Sequence, residues 1–443
     1  MAKNQSLSPP QVVVLGFLSI ILIGTVLLSL PQTTANGERQ QFVDALFTAT
    51  SAVCVTGLVV HDTGDYFSLF GQIIILLLIQ IGGLGYMTMA TFLLLLVGKT
   101  ITLRERLIMQ ESMPQFSLGG VVQFAKYVLK VTLFLELIGA TILSLRWMED
   151  YSVPKAIYLG IFHAVSAFCN AGFALFSDSF RGFRGDAVIL LTILFLFFVG
   201  GLGYVVLSDL YFFRYRKFPH LSVHTKMVLT FTLTLIALGG AVIFLLESKN
   251  PSTLGGLSGK DKVMASLFQA MTPRTAGFSV VDVGGMMQGS LFLTIILMFI
   301  GASPGGTGGG IKTTTFGVML ATVWATLRGR RDVTVFKHRI PGEVINKSFV
   351  VGFLSILFIV IITVIIASAE KYKFIRAFFE TMSAFGTVGL STGITSGLSS
   401  LGKALLIITM FVGRLGPLTI GVAMLREMKD LRFRYPERRV LVG

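Results

Sequence analysis

Four glycines are the residues of this chain whose spacing most clearly suggests chemistry. Each ends a short apolar segment, and in three of the segments Phe, Ser-Ala and Gly fall at identical offsets. The third segment in chain order is one residue shorter and carries Pro-Arg before its Gly. The segments are roughly a quarter of the chain apart, which indicates four-fold internal repetition. The glycines are Gly57, Gly172, Gly277 and Gly389.

These loops suit the coordination of a monovalent cation by backbone carbonyl oxygens. Non-helical backbone is tolerated in a membrane only where it is buried in protein or lines a water-filled path. Rings of carbonyls can replace the hydration shell of an ion, and Gly permits dihedrals that turn carbonyls towards one axis. The fourth loop is nearest to the potassium-channel filter pattern. The candidate filter comprises Val55, Thr56, Gly57, Asn170, Ala171, Gly172, Thr275, Ala276, Gly277, Thr387, Val388 and Gly389.

The elements that must position these loops are predicted to be membrane-spanning helices. Of 443 residues, 53% are hydrophobic and only 13% are charged, which is too little polar surface for a soluble globule of this size. A span needs about 20 predominantly apolar residues, and one short apolar segment separates the members of each consecutive pair of such stretches. The predicted spans are 11–30, 71–98, 127–146, 187–213, 226–247, 290–327 (interrupted), 348–369 and 401–425.

The predicted fold is therefore an all-α integral membrane protein. It has four repeats of span, re-entrant pore helix with its loop, and span, so that eight transmembrane helices surround one pseudo-four-fold pore. The repeats are predicted at 1–100, 101–217, 218–330 and 331–443, the last with a basic C-terminal tail.

The second span of each repeat carries a cluster of small residues. The clusters at 82–86, 200–204 and 413–417 match one another, and we interpret them as sites of close helix packing. The third repeat has six glycines and Pro304 between 301 and 312 instead. Because Gly lowers helix propensity by about 1 kcal/mol per residue, we expect two half-helices joined by an irregular loop at mid-membrane. Ile311 before Lys312 excludes a phosphate-binding loop.

Arg414 lies inside the eighth predicted span. A charge at the bilayer centre costs about 2.5–3.5 kcal/mol on insertion scales, so such a residue faces a cavity or a partner. Two interpretations stay open: the guanidinium caps pore-helix carbonyls, or it is a fixed positive charge below the filter that tunes cation passage.

The four-glycine pattern resembles the membrane subunit of the Trk/Ktr/HKT superfamily of potassium transporters, and the compact chain most resembles bacterial Ktr. The resemblance covers essentially the whole sequence. It implies channel-like potassium uptake, often promoted by sodium, and Gly57 favours potassium because relatives with Ser there tend to select sodium. A sodium or non-selective monovalent cation transporter of the same fold is the alternative. The implied gate comprises Gly305, Gly306, Thr307, Gly308, Gly309, Gly310 and Lys312.

The same resemblance implies a homodimer that sits on a cytosolic ring of nucleotide-binding regulatory subunits. It implies no cofactor in this chain beyond the transported potassium or sodium, and the nucleotide belongs to the partner. The third loop, with Pro273 and Arg274, departs most from the family pattern. The assignment of filter residues by resemblance is therefore weakest for Thr275 and Ala276.

The charge of the chain, +15, lies mainly in connectors at 214–226, 328–347 and 426–439. Lys and Arg are retained on the cytoplasmic side during insertion, so both termini are predicted to be cytoplasmic in a bacterial plasma membrane. Contact with membrane lipid and a protein partner is expected, and a nucleic-acid partner is not. With no GxSxG or HExxH motif and no carboxylate pair, the sequence does not suggest an enzyme.

Overall fold

The computed structural model describes residues 8–85, 120–214 and 220–424, together with Arg438. Apart from a hairpin of β1 (Thr334–Val335) and β2 (His338–Arg339), its regular elements are helices. The α-helices are α1 (Pro9–Leu28), α2 (Phe42–Val53), α3 (Leu69–Leu84), α4 (Gly120–Trp147), α5 (Val153–Phe168), α6 (Ala187–Leu202), α7 (Tyr204–Arg214), α8 (Val223–Glu247), α9 (Gly259–Met271), α10 (Gln288–Phe299), α11 (Thr313–Leu327), α12 (Gly342–Ala369), α13 (Phe374–Gly386), α14 (Ser400–Leu415) and α15 (Pro417–Met424).

Four helices of the described chain are continuous, long and apolar enough to cross a membrane. They are α1, α4, α8 and α12, each the first described helix of a predicted repeat. The pairs α6–α7 and α14–α15 also meet the test together, but each pair is sharply bent, by 96° and 92°. The described chain is thus built as an all-α membrane protein, with the small hairpin as its one departure.

The bends correct the prediction of continuous spans at 187–213 and 401–425. Gly203 and Gly416 interrupt them with φ of +90° and +86°, a conformation that no right-handed helix can contain. Gly85 ends α3 in the same way, with φ of +78°, and the rest of the predicted span 71–98 lies outside the described residues. No helix covers 301–312, since α10 ends at Phe299 and α11 begins at Thr313.

Four short helices, α2, α5, α9 and α13, each precede one of the four glycine loops. The Phe that recurs in each is fully buried, which explains its repetition as a core contact; these residues are Phe47, Phe162, Phe268 and Phe379.

The small-residue clusters allow the second helices to contact the ends of these short helices. A Cβ on Gly82, Gly200 or Gly413 would overlap the carbonyl oxygen of Val53, Phe168 or Phe385 respectively. Each of those carbonyls lies four residues before a loop glycine. The close packing that the sequence predicts therefore holds the loops in position.

Candidate functional site

The four loop glycines form a closed ring in chain order. A Cβ built on Gly57 would lie 2.9 Å from the Cα of Gly172, and one on Gly172 would lie 2.9 Å from the Cα of Gly277. A Cβ on Gly277 would lie 3.4 Å from the Cα of Gly389, and one on Gly389 would lie 3.0 Å from the Cα of Gly57. The distances inside this ring leave little or no room for a side chain.

Every second residue of each loop has a left-handed backbone. The glycines have φ between +70° and +90°, and the residues two positions earlier have φ of 56°, 59°, 71° and 49°. The latter are Val55, Asn170, Thr275 and Thr387. Non-Gly residues rarely adopt this conformation, so its appearance at four equivalent positions shows that the loops share one backbone geometry.

A hydroxyl residue near the end of each short helix holds the following loop. The carbonyl oxygens of Ser51, Ser166 and Ser383 accept from the N–H of Thr56, Ala171 and Val388, each over 2.8 Å, and Thr272 accepts from Ala276 over 2.9 Å. The hydroxyls of Ser51 and Ser383 accept from the glycine N–H, whereas those of Ser166 and Thr272 donate to the carbonyls of Phe173 and Phe278.

The carbonyls of the twelve predicted filter residues remain free of protein donors: within the described part of the chain, none of them accepts a hydrogen bond. Buried backbone carbonyls are normally paired with protein, water or another ligand. The carbonyl oxygens of Ala171, Ala276, Val388 and Thr56 lie beside the glycine of the preceding loop in the ring. The described loops therefore have carbonyl oxygens without protein donors, four of them next to the glycine ring.

A cavity of about 290 Å³ opens on one side of the ring. All four glycines line it, together with Asp62, Asp178 and several Ser hydroxyls.

The segment 301–312 lies against the other side of the loops. Its backbone is anchored to the second helices of two repeats. The N–H of Ser303 donates to Gly201 over 3.1 Å, that of Thr307 to Gly200 over 3.3 Å, and that of Gly310 to Gly413 over 3.2 Å.

The same segment contacts three of the four loops through residues of the predicted gate. The N–H of Gly309 donates to the Thr387 hydroxyl over 2.9 Å, the Asn170 amide lies 3.2 Å from the Thr307 hydroxyl, and a Cβ on Gly308 would overlap the Thr275 hydroxyl. The predicted gate residues and the predicted filter residues are thus brought together. Lys312 is directed back to the segment itself, where its Nζ donates to the Gly308 carbonyl over 2.7 Å.

Arg414 joins this segment to two helices. Its guanidinium donates to the carbonyls of Thr307 and Gly82, which lie in different predicted repeats. The two acceptors are not pore-helix carbonyls, so the first sequence-based interpretation named the wrong partners. The side chain nevertheless caps backbone carbonyls, and whether its charge also tunes cation passage stays a prediction.

Comparison with known proteins identifies the family. Residues 11–432 match the family model TrkH, described as "Cation transport protein". The chain belongs to the TrkH family of cation transport proteins. This TrkH-family chain is 44% identical to "Ktr system potassium uptake protein B" of Bacillus subtilis over 98% of this chain and 97% of the relative. It is 39% identical to the protein of the same name from Vibrio alginolyticus, over 98% and 95%.

A further relative and one solved structure extend the comparison. "Potassium/sodium uptake protein NtpJ" of Enterococcus hirae is 34% identical over 99% of this chain and 98% of the relative. The crystal structure of the potassium transporter TrkH from Vibrio parahaemolyticus superposes with a TM-score of 0.72, over 96% of this chain and 86% of that one. At 20% identity this match shows a shared fold.

Sequence reasoning about this TrkH-family chain missed the residues that hold the loops after the ring. Glu380 accepts from the N–H and hydroxyl of Thr392 and from the hydroxyls of Ser391 and Thr395, at 2.8–3.1 Å. His163, at the equivalent position, accepts from the N–H of Leu175 over 3.1 Å. The sequence feature that could have identified them is the polar residue directly after each repeated Phe. The function of that polar residue becomes clear only once its hydrogen-bond partners are known.

Proposed function

We propose that this chain conducts potassium into the cell through the centre of the glycine ring. The observation that carries the proposal is the set of twelve filter-residue carbonyls that accept no hydrogen bond from the described residues. Potassium can exchange its hydration shell for such oxygens. The names of the Bacillus and Vibrio relatives support potassium uptake as the activity.

The short helices would contribute to the preference for a cation. Each ends immediately before a loop, and the C-terminal end of a helix carries a partial negative charge of about half an elementary charge. In this proposal the four repeats, each with two spans, surround one pore with pseudo-four-fold symmetry. The ordered contacts between the glycines favour that arrangement.

We further propose that the segment 301–312 is the gate. Its contacts with Asn170, Thr275 and Thr387 support a position across the inner side of the proposed filter, and the Arg414 guanidinium donates to its Thr307 carbonyl. A cation leaving the filter would meet this segment and a fixed positive charge. Conduction then requires the segment to move.

A cytosolic partner would control that movement. The phrase "Ktr system" in the relatives' names suggests more than one component, and we propose a homodimer on a nucleotide-binding ring, with the nucleotide on the partner. Arg328, Arg330, Arg331 and the β1–β2 hairpin directly follow α11, which begins at the end of the gate segment. Two further basic residues predicted for this surface, Arg216 and Lys217, lie outside the described residues.

The proposed orientation of the chain in the membrane follows from the positive-inside rule, because the basic connectors would be cytoplasmic. Both termini would then be cytoplasmic in a bacterial plasma membrane, and the cavity with Asp62 and Asp178 would face outside.

The test of the filter is cation flux in cells that lack their own potassium uptake. Gly57→Ser and Gly389→Ser add a side chain where the neighbouring loop leaves no space, so both should reduce potassium-over-sodium discrimination. Unchanged discrimination in both variants would refute the carbonyl filter. Parent flux that does not distinguish the two ions would favour the alternative, a sodium or non-selective transporter, which the name of the Enterococcus relative suggests.

Deletion within residues 305–310 tests the gate. We expect flux that is high and insensitive to the regulatory partner, since the contacts with the filter loops and with Arg414 are lost. Flux that stays low, or that still responds to nucleotide as in the parent, would place the gate elsewhere.

A further inference from the structure

A second cavity, of about 190 Å³, lies beside the gate segment, α12 and the α14–α15 bend. Three of its lining residues are basic: Lys312, Lys347 and Arg414. Neither Lys347 nor the space between these three side chains has a function in the proposed conduction of potassium.

The positive charge of this cavity is not balanced by described residues. Among the described residues, no acidic side chain lines it, and none of their ion pairs includes any of the three basic residues. The side-chain hydrogen bonds of Lys312 and Arg414 to described residues all go to backbone carbonyls. Like charges in a low-dielectric region repel strongly, so the cavity favours an anion.

The shape of the cavity shows how an anion could reach it. Lys347, Val351 and Ser355 follow one face of α12 at four-residue spacing, so they extend over about 12 Å of helix. Lys347 is exposed, whereas Ser355 is buried. The cavity therefore runs inward from the open end of α12, with hydroxyls of Thr315 and Thr419 and the apolar Leu418 along its walls.

We propose that this cavity binds a phosphate-bearing anion, with Lys347 at its entrance and Lys312 and Arg414 within. Tetrahedral phosphate oxygens suit several separate ammonium, guanidinium and hydroxyl donors. Basic pockets between helices at the cytoplasmic side of a membrane suit anionic lipid headgroups. Free phosphate has the same chemistry.

The bound anion favours cation passage, and this part of the proposal rests on the proposed transport function. It offsets the positive charge below the filter. It also competes with the carbonyls of Gly308 and Thr307 for the Lys312 and Arg414 donors. The first effect lowers the electrostatic barrier to a cation, and the second weakens the hold on the gate segment.

The experiment uses the full chain in phosphatidylcholine vesicles with increasing amounts of phosphatidylglycerol. The midpoint of thermal unfolding reports binding without requiring transport, and potassium flux is measured in parallel. We expect both to rise with phosphatidylglycerol in the parent. In Lys347→Gln the half-maximal response should require about fivefold more phosphatidylglycerol, since one basic residue near an anionic surface contributes that factor.

Lys226→Gln is the matched control. Lys226 lies in the first turns of α8, as Lys347 lies in the first turns of α12, but it does not line the cavity. This variant should respond to phosphatidylglycerol like the parent.

A separate arm adds inorganic phosphate to pure phosphatidylcholine vesicles. A phosphate response that Lys347→Gln weakens supports the site with a soluble anion as its ligand, and a response to phosphatidylglycerol alone supports it with a lipid. Equal responses in all three proteins, or no response to either anion, would overturn the proposal. A chain that gains thermal stability but conducts no cation would refute the transport function while retaining the anion site.

Discussion

Each predicted repeat contains one pore unit, which is its short helix together with the glycine loop that follows. The third and fourth pore units have the same loop backbone but support it very differently. In the fourth unit, Glu380 accepts four hydrogen bonds from the chain that follows the ring. At the equivalent position of the third unit, the buried Gln269 has no hydrogen-bond partner among the described residues. The Nε of Arg274, also buried, has none within the same ranges. Yet Gly277 and Gly389 have similar left-handed φ values.

This difference separates two requirements on the loops. Loop geometry is maintained in both units by short backbone hydrogen bonds to the carbonyl oxygens of Ser383 and Thr272. The residue directly after the repeated Phe, however, holds the following chain in the fourth unit and makes no hydrogen bond to a described residue in the third. The third unit, in which Gln269 makes no hydrogen bond to a described residue, is also the one whose second helix is interrupted by the segment 301–312.

The largest effect is expected from removing the support of the fourth unit. Glu380→Ala leaves one buried N–H and three hydroxyls without their acceptor, so it should lower the free energy of unfolding by at least about 3 kcal/mol. Thermal unfolding of the purified protein measures this, and Glu380→Gln, which retains one acceptor oxygen, should lie between. If Glu380→Ala unfolds like the parent, the two units are equally supported.

Arg414 connects the two units, and its replacement should have the next largest effect. Gln cannot reach both the Thr307 and Gly82 carbonyls, and hydrogen bonds to charged groups contribute about 1.5–3 kcal/mol each. Arg414→Gln should therefore raise flux per molecule about tenfold. Arg414→Lys distinguishes the causes: it keeps the charge but not the two-carbonyl contact, so raised flux there would identify the contact as the restraint. Lower protein yield with normal flux per molecule would instead show a purely structural role.

Replacing the hydroxyl residues that hold the loops should have a smaller effect, and the loss in the potassium-to-sodium flux ratio should differ between the units. Ser383→Ala removes the acceptor of the Gly389 N–H, at about 1 kcal/mol, which corresponds to about a fivefold loss in the potassium-to-sodium flux ratio. Thr272→Val removes only a donor to a carbonyl and should change the ratio less. Ser348→Ala, whose hydroxyl bonds within α12, is the control. A larger loss in Thr272→Val than in Ser383→Ala would reverse the comparison.

Gln269→Met should produce the smallest change of the four, measured as a shift in the midpoint of thermal unfolding. The direction of that shift tests the contrast between the two units. Replacing a buried amide that has no described partner with an apolar side chain of similar length removes a desolvation penalty. The midpoint of thermal unfolding should stay the same or rise. A clear decrease would reveal a hydrogen-bonding partner for Gln269 and weaken the contrast with Glu380.

The sequence predicted the loops well because their requirement is local. Only Gly fits a left-handed backbone position that has no space for a Cβ. Because the pattern repeats, such residues can be recognised at positions 57, 172, 277 and 389. The hydroxyl residues at 51, 166 and 383 repeat just as regularly. Their function was missed because a Ser near a helix end has several possible partners.

The bends at Gly203 and Gly416 were not predicted, although Gly85 belongs to the same pattern. The clusters were interpreted as packing sites, which Gly82, Gly200 and Gly413 are. The last Gly of each cluster has a different function, since it ends the helix. One run of small residues thus serves two purposes that composition cannot separate.

By itself, the sequence determined the family, the helical membrane character, the four loops and the irregular segment in the third repeat. These depend on hydropathy and on local backbone preference, both of which are properties of neighbouring residues. Only the tertiary structure decided the order of the glycines around the ring, the contact of 301–312 with three loops, and the partners of Arg414 and Glu380. Such contacts join residues far apart in the chain, and a side chain's acceptor depends on which backbone the fold brings within hydrogen-bonding distance.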